Sequence, residues 1–320
     1  MKATGDSPWK WAFFGLITAA SLVLTCTIAE LTWRAIRRAG WAGSSPPLVE
    51  FDSDLGWRNR RGLRLRHRQP EFDVMVELDA EGHRVTPGGT SGSPILFVGD
   101  SMTFGWGVNA RDTFVSRVGR NLDRPTINLG VPGYGTDQSY LALLREASLE
   151  RSSLVIYLLC ENDLREVTRR RMYGRAKPRF GLDGVREESE SSGPLFGWVE
   201  ENSYLLASTR TFLEALRYRP QSQAERANGA RLVSSLVDAM RRRCERLGAK
   251  FVLVVPDHAI LGAYMPAVET EVDLKPAMDE AARSGLSISF ARDSHYNAAG
   301  HALVAEEILA YLRSQADFAP

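Results

Sequence analysis

Five places in this sequence set a reactive or hydrogen-bonding residue just after a short apolar run. "ILFVGDS" ends in Gly99, Asp100 and Ser101. "TINLGVPGYG" runs into a loop with Gly130, Gly133 and Gly135. "LVIYLLCEND" delivers Asn162 and Asp163, and "FVLVVPDH" delivers Asp257 and His258. "LSISFARDSH" delivers Asp293, Ser294 and His295. A hydroxyl, a small-residue backbone, a carboxamide and imidazole–carboxylate pairs are the parts of an acyl-transfer site. They supply a nucleophile, donors for an oxyanion, and a base with a group to orient it. A turn serine capping a helix would account for Ser101 alone, but not for the other groups at equivalent positions.

Two histidines compete for the role of base. Both His295 and His258 follow a strand-like run and have an aspartate beside them. The loop of His295 leads through "NAAGH" into a helical pattern at the C-terminus. His67 and His83 fall in an upstream hairpin region, and His301 inside the last helix pattern. Cys160 ends an apolar strand and reads as a buried small hydrophobe. Asp163 reads as structural.

The elements that must position these groups alternate along the chain. Candidate strands are "PILFVGD", "PTINLGV", "SLVIYLLC", "KFVLVVP" and "LSISF". Between them lie helical patterns. "RDTFVSRVGRNL" gathers Phe114, Val115, Val118 and Leu122 on one face, and "TDQSYLALLREASLE" has Thr136 as N-cap and Asp137 in its first turn. A longer helix is expected from about Arg226 to Leu247. Near-continuous apolar strands suit burial on both faces. The pattern predicts an α/β fold with a central parallel sheet and helices on both sides. Sites in such sheets form outside the carboxyl ends of the strands.

Four blocks in order, "GDSMTFGWG", "NLGVPGYGTDQ", "CEND" and "DSHYNAAGH", resemble the SGNH (GDSL-type) hydrolase superfamily, in a membrane-anchored bacterial-type form. The resemblance covers roughly residues 95–315. It implies a flavodoxin-like three-layer α/β/α sandwich and an esterase, lipase, carbohydrate deacetylase or related acyl-transfer activity. By position, it implies Ser101 as nucleophile, His295 as general base and acid, and Asp293 as the group that orients the imidazole. It implies an oxyanion hole from the Ser101 and Gly133 backbone N–H groups and the Asn162 amide. A side chain at position 133 would obstruct the approach of substrate to backbone. A neutral amide at 162 donates without adding negative charge. Many members place the aspartate three residues before the histidine; here the spacing is two. Residues two apart in an extended segment share a face, so the carboxylate still reaches the ring. Related acetyltransferase-like members share this spacing.

Other motifs fail. Thr103 stands where a lipase elbow has its second glycine. "GWGVNA" begins too far past its strand for a dinucleotide fingerprint, and there is no phosphate loop. The chain has 320 residues and a formal net charge of +1, so no global field draws nucleic acid. Its three cysteines have no metal-like spacing. No metal or organic cofactor is implied.

Upstream, Trp11–Leu31 carries no charge before Glu30 and has the length of a bilayer span. It exceeds the apolar core of a signal peptide and lacks a cleavage site. The expected order is a tail at 1–10, an anchor at 11–33, a linker at 34–50, a β-hairpin region at 51–90 and a catalytic domain at 91–320. An insertion or lid with a disordered tip at "REESESSG" occupies 164–224. Arg34, Arg37 and Arg38 would place the downstream side in the cytoplasm by the positive-inside rule. Long domains translocate despite such flanks, and a periplasmic or extracellular domain is expected. Arg64, Arg66 and Arg68 alternate with Leu63 and Leu65. They suit a charged edge strand or a surface for anionic lipid headgroups or a polyanionic glycan. The expected function is a single-pass membrane serine esterase or deacylase. Its substrate would be an acylated small molecule or glycan, such as an O-acetylated envelope glycan. Alternatives are an O-acyltransferase with a sugar acceptor, and a catalytically silent domain that binds glycan or a partner.

Overall fold

An apolar helix opens the described chain, and two hairpins separate it from an α/β body. The structure, a computed structural model, describes residues 8–38, 48–173, 175–182, 184–187, 203–216, 220–258 and 271–315. Helix α1 spans Pro8–Arg38. Strands β1 (Val49–Asp52) and β2 (Gly56–Asn59) form one antiparallel hairpin, and β3 (Arg64–Gln69) and β4 (Phe72–Glu77) form another. The body begins with β5 (Ile95–Val98), α2 (Ser101–Phe104), α3 (Phe114–Asn121) and β6 (Thr126–Asn128). It continues with α4 (Thr136–Arg145), β7 (Leu154–Leu158) and α5 (Asp163–Glu166). Two small ribbons follow, β8 (Arg171–Met172) with β9 (Arg175–Ala176), and β10 (Arg179–Phe180) with β11 (Arg186–Glu187). Helices α6 (Tyr204–Leu216) and α7 (Gln223–Arg246) lead to β12 (Lys250–Val255) and β13 (Glu271–Asp273). Helices α8 (Lys275–Arg283) and α9 (Ala298–Ser314) complete the described chain.

The five body strands form one parallel sheet in the order β13-β12-β7-β5-β6. Numbered along the chain, that is the flavodoxin-like order 2-1-3-4-5 read from the other edge, with its switch point between β5 and β7. Alternate strand residues face opposite layers. Leu96, Val155 and Leu253 pack with Leu143 of α4 and with Val233, Leu236 and Met240 of α7. Phe97, Ile156 and Val254 pack with Phe114 and Val118 of α3 and with Val304, Ile308 and Leu312 of α9. The result is the expected three-layer α/β/α sandwich.

Two local expectations fail. "LSISF" does not join the sheet, and Ser289 forms only an isolated bridge with Tyr296. The Asn297 amide instead donates to the carbonyls of Ser287 and Ser289. The fifth strand is β13, which carries a single apolar residue, Val272. At α4 the N-cap is Gly135, not Thr136. The Thr136 hydroxyl donates to Asp163 at 3.0 Å, a tie from helix α4 to helix α5.

Helix α1 contains a candidate span, Trp9–Ala35, in which an 18-residue window has mean hydropathy 2.0 and none of that window is buried. It is long and apolar enough to cross a membrane. Near its end Glu30 accepts from the Ser203 hydroxyl and the Leu205 N–H, and Trp33 donates to Ser208, so α6 docks there. Arg64, Arg66 and Arg68 form the exposed face of β3, and Arg66 makes a bidentate pair with Asp73 across the hairpin. Residues 1–7 of the expected tail at 1–10, most of the linker (39–47), and the acidic-serine stretch from 188 onward lie outside the described residues.

Candidate active site

The site is built on the carboxyl ends of β5, β6 and β7 and on the loop before α9. Strand β5 ends at Val98, and the chain must turn sharply to start α2. Gly99 makes the turn at φ +152°, where a Cβ would stand 2.3 Å from the Thr103 hydroxyl. No L side chain fits there. Asp100 then caps α2 by accepting the Met102 N–H at 2.8 Å, and Ser101 is the helix's first residue. Burial raises the Asp100 carboxyl above its ordinary range, against the pull of the Met102 N–H. Behind α2, the Asn128 amide donates to Thr103 O at 2.9 Å. Buried Arg84 donates to the carbonyls of Phe104, Gly105 and Val108. Burial pulls that guanidinium down to about 10, so it stays charged at neutral pH. The loop that carries Ser101 is thus fixed at both ends.

The Ser101 hydroxyl lies 2.7 Å from His295 Nε2. The opposite nitrogen, Nδ1, faces Asp293 Oδ1, which also accepts the His295 backbone N–H at 3.0 Å. One carboxylate oxygen therefore holds both the ring and the backbone of the residue two positions on. Burial pushes the Asp293 carboxyl up. The His295 N–H groups and the Trp106 indole outweigh it and hold the carboxyl below its ordinary range. Asn297 locks the loop. Its side chain accepts the N–H groups of Ala299 and Gly300, capping α9, while its amide binds the strand-like segment before the loop. His258 stands elsewhere, with Nδ1 2.5 Å from Glu271 Oε1. Geometry separates the two histidines that the sequence left in competition.

The expected oxyanion donors come from two further loops. Gly133 has φ +80°, and a Cβ there would meet the Tyr173 ring at 2.5 Å. The reason for glycine is therefore the left-handed backbone and the ring above it, rather than access for substrate alone. Trp57 of β2 donates to Pro132 O, Asn59 donates to Gly130 O, and Tyr134 donates back to Trp57 O. These bonds fix the 130–135 loop. Among the described residues, neither the Ser101 N–H nor the Gly133 N–H donates to a protein carbonyl. Asn162 is half-buried at the start of α5, and its side chain holds down the carboxyls of Asp100 and Glu166. Burial nonetheless raises Glu166 to about 7. Asp163 accepts from Thr136 and from the Cys160 N–H, which is a structural role. Burial raises the Cys160 thiol far above its ordinary range, and it donates to Asp100.

Several residues at the site went unread in the sequence. Trp106 lies against His295 with ring centroids 5.6 Å apart. Tyr173 covers Gly133 from the insertion, with φ +51° at a tight ribbon turn. Lys177 and Asp137 form a fully buried ion pair beneath the site. The "GWG" glycines reveal the first of these in hindsight, because Gly107 sits against Phe72 and Phe290 with no room for a Cβ. Both are places of close packing, Gly105 against Thr113 and Gly107 against the two rings.

A model of the GDSL-like lipase/acylhydrolase family matches residues 97–303. No curated protein matches the chain. Solved structures similar to it include a putative lipolytic protein of the G-D-S-L family from Desulfitobacterium hafniense. That match has 12% identity and TM-score 0.37, covering 68% of this chain and 99% of that one. A lipase/acylhydrolase from Enterococcus faecalis matches at 17% identity and TM-score 0.39, covering 69% and 95%. An acetylxylan esterase from Geobacillus stearothermophilus matches at 14% identity and TM-score 0.41, covering 71% and 96%. The family match spans more than half of the chain and every rim loop just described, and the protein belongs to the GDSL-like lipase/acylhydrolase family of ester-bond hydrolases.

Proposed function

We propose that the protein is a membrane-anchored serine esterase that works through Ser101, His295 and Asp293. The observation that carries this reading is the unbroken chain from the Ser101 hydroxyl through His295 to Asp293. With Nδ1–H directed at the carboxylate, Nε2 is left as the acceptor for the serine proton. Ser101 Oγ attacks the ester carbonyl as its proton passes to Nε2. Asp293 stabilises the imidazolium that forms. The carbonyl oxygen becomes an oxyanion and takes hydrogen bonds from the Ser101 and Gly133 N–H groups and the Asn162 amide. One such donor is worth about 3 kcal/mol of barrier. Collapse of the tetrahedral species expels the alcohol, which receives the Nε2 proton. Water, activated by the same nitrogen, then releases the acid from Ser101.

The substrate put forward is an O-acyl ester, foremost an O-acetyl group, on a glycan outside the cytoplasm. Support for this comes from the membrane-length helix α1 and from the outward arginine face of β3. Under this reading α1 is a single span and the α/β body faces the periplasm or exterior.

The test uses the full chain in detergent. A fluorophosphonate probe should label wild type and leave Ser101→Ala unlabelled. Hydrolysis of p-nitrophenyl acetate should fall by about a thousandfold or more in the same variant. A Ser101→Ala chain with wild-type turnover would refute the mechanism. A reporter fused after residue 320 reads the side of the membrane.

A further inference from the structure

Asp293 and His295 sit on a partly exposed loop, with side-chain exposures of 30% and 24%. Exposed loops open locally at low cost, yet this pair must hold sub-ångström geometry toward Ser101. What braces it on the outer side comes from before the family-matched region. The tip of the β3–β4 hairpin reaches the loop directly. Glu71 accepts the Arg292 N–H with both carboxylate oxygens at 3.0 Å, one residue from Asp293. Phe72 packs on Phe290, with centroids 5.5 Å apart.

A second path runs through one indole. His67 is fully buried in β3, and among the described residues neither ring nitrogen has a hydrogen-bond partner. Burial, aided by the charge of Arg84, pushes it down to about 4, so it is neutral. Leaving a buried imidazole without partners is unfavourable, and its contacts are edge-on to two rings. Those rings are Phe72 at 4.8 Å and Trp106 at 4.4 Å. Trp106 in turn lies tilted by 30° over the His295 imidazole, and its indole acts on the Asp293 carboxylate. One side chain thus lies against the imidazole and favours the charged form of its carboxylate partner, and its other side is wedged by the hairpin.

We propose that Trp106 is a positioning residue for the His295–Asp293 pair, and that the β3–β4 hairpin sets its place through His67 and Phe72. The proposal rests on the serine mechanism above. Trp106 fixes the ring plane and the carboxylate together, so its loss lets the pair swing away from Ser101 without altering how an ester docks at the oxyanion loop. A misplacement of that kind reduces turnover on the order of 100-fold.

The experiment measures kcat and KM for p-nitrophenyl acetate with the full chain in detergent, alongside thermal melting. Trp106→Phe keeps a ring and loses the indole N–H; kcat should fall about tenfold, with KM little changed. Trp106→Ala should fall on the order of 100-fold. His67→Leu should lower kcat as well. The double variant His67→Leu/Trp106→Ala should lose no more than Trp106→Ala alone, because both act along one path. Wild-type kcat in a folded Trp106→Ala chain overturns the proposal. If that chain does not fold, wild-type kcat in both Trp106→Phe and His67→Leu overturns it. Loss by simple multiplication in the double variant overturns the hairpin's part. Ser101→Ala is run beside them. If it retains turnover, the serine reading fails; if it is silent while the Trp106 variants are normal, only this proposal fails.

Discussion

His295 Nε2 lies 2.7 Å from the Oγ of Ser101, although 194 positions separate the two in sequence. His258 also follows a sheet strand and has an aspartate beside it, but its ring is bound to Glu271 at the start of β13. Replacement should separate them cleanly. His295→Gln should reduce kcat/KM for p-nitrophenyl acetate by about a thousandfold or more, as loss of a triad base does. His258→Gln should stay within about twofold of wild type, as for a surface substitution away from the chemistry. Comparable losses from both would mean that His258 takes part in the reaction.

Gly133 gives a second, sharper test of the proposed oxyanion loop. At φ +80° an alanine is strained by about 1–2 kcal/mol. Its methyl would also overlap the Tyr173 ring, 2.5 Å from the Cβ position. Relief of either strain rotates the 133 N–H. Gly133→Ala should therefore lower kcat by about tenfold or more. Adding Tyr173→Ala removes the overlap but not the backbone strain, so Gly133→Ala/Tyr173→Ala should recover part of the loss. Equal activity in the single and double variants would show that the ring does not press on the loop.

The buried ion pair beneath the site predicts a stability effect of another kind. Lys177 Nζ meets Asp137 and also donates to Glu166 O at 3.0 Å, and both side chains of the pair are fully buried. The pair ties the segment carrying Tyr173 to the start of α4. Removing one partner leaves a buried charge without compensation, which typically costs about 3–5 kcal/mol. Lys177→Met should lower the denaturation midpoint markedly. Lys177→Met/Asp137→Leu should restore much of it, because both charges are then gone. A Lys177→Met chain as stable as wild type would contradict this account.

The parts of this molecule readable from sequence were those whose signal is local. Four of the five sheet strands announce themselves in the sequence, three as continuous apolar runs and β6 within "PTINLGV", and Ser101, Gly133 and Asn162 stand just after three of them. The fifth strand did not, because Glu271–Asp273 has one apolar side chain and is held by its pairing with β12. "LSISF" alternates like a strand, yet Leu286 is exposed and Asn297 takes its carbonyls. The choice between His295 and His258 needed coordinates, since each has the right neighbours in sequence. Arg84, Trp106 and Lys177 were silent for a similar reason. An arginine bound to three carbonyls, an indole over an imidazole and a lysine buried against an aspartate 40 positions away leave no periodic trace.

The hairpin that wedges Trp106 is itself fastened to the body through His83, and that fastening depends on pH. His83 Nε2 lies 3.0 Å from Glu146 at the end of α4, and Nδ1 lies 3.4 Å from Asp79. Burial pulls the imidazole down, but Glu146 and Asp79 outweigh it and raise its pKa above 6.5. The His83 hydrogen bond in turn lowers the Glu146 carboxyl to about 2. The raised histidine contributes stability that is complete below its unfolded value of 6.5 and is lost as pH climbs through the folded value. The lowered glutamate contributes stability that is complete above 4.5 and is lost as pH falls toward 2. The full contribution therefore lies between those two unfolded values. The melting-temperature gap between wild type and His83→Gln should be widest at about pH 5–6 and should narrow steadily above neutral pH. A gap that widens toward alkaline pH would show that His83 is held neutral rather than charged between its two carboxylates.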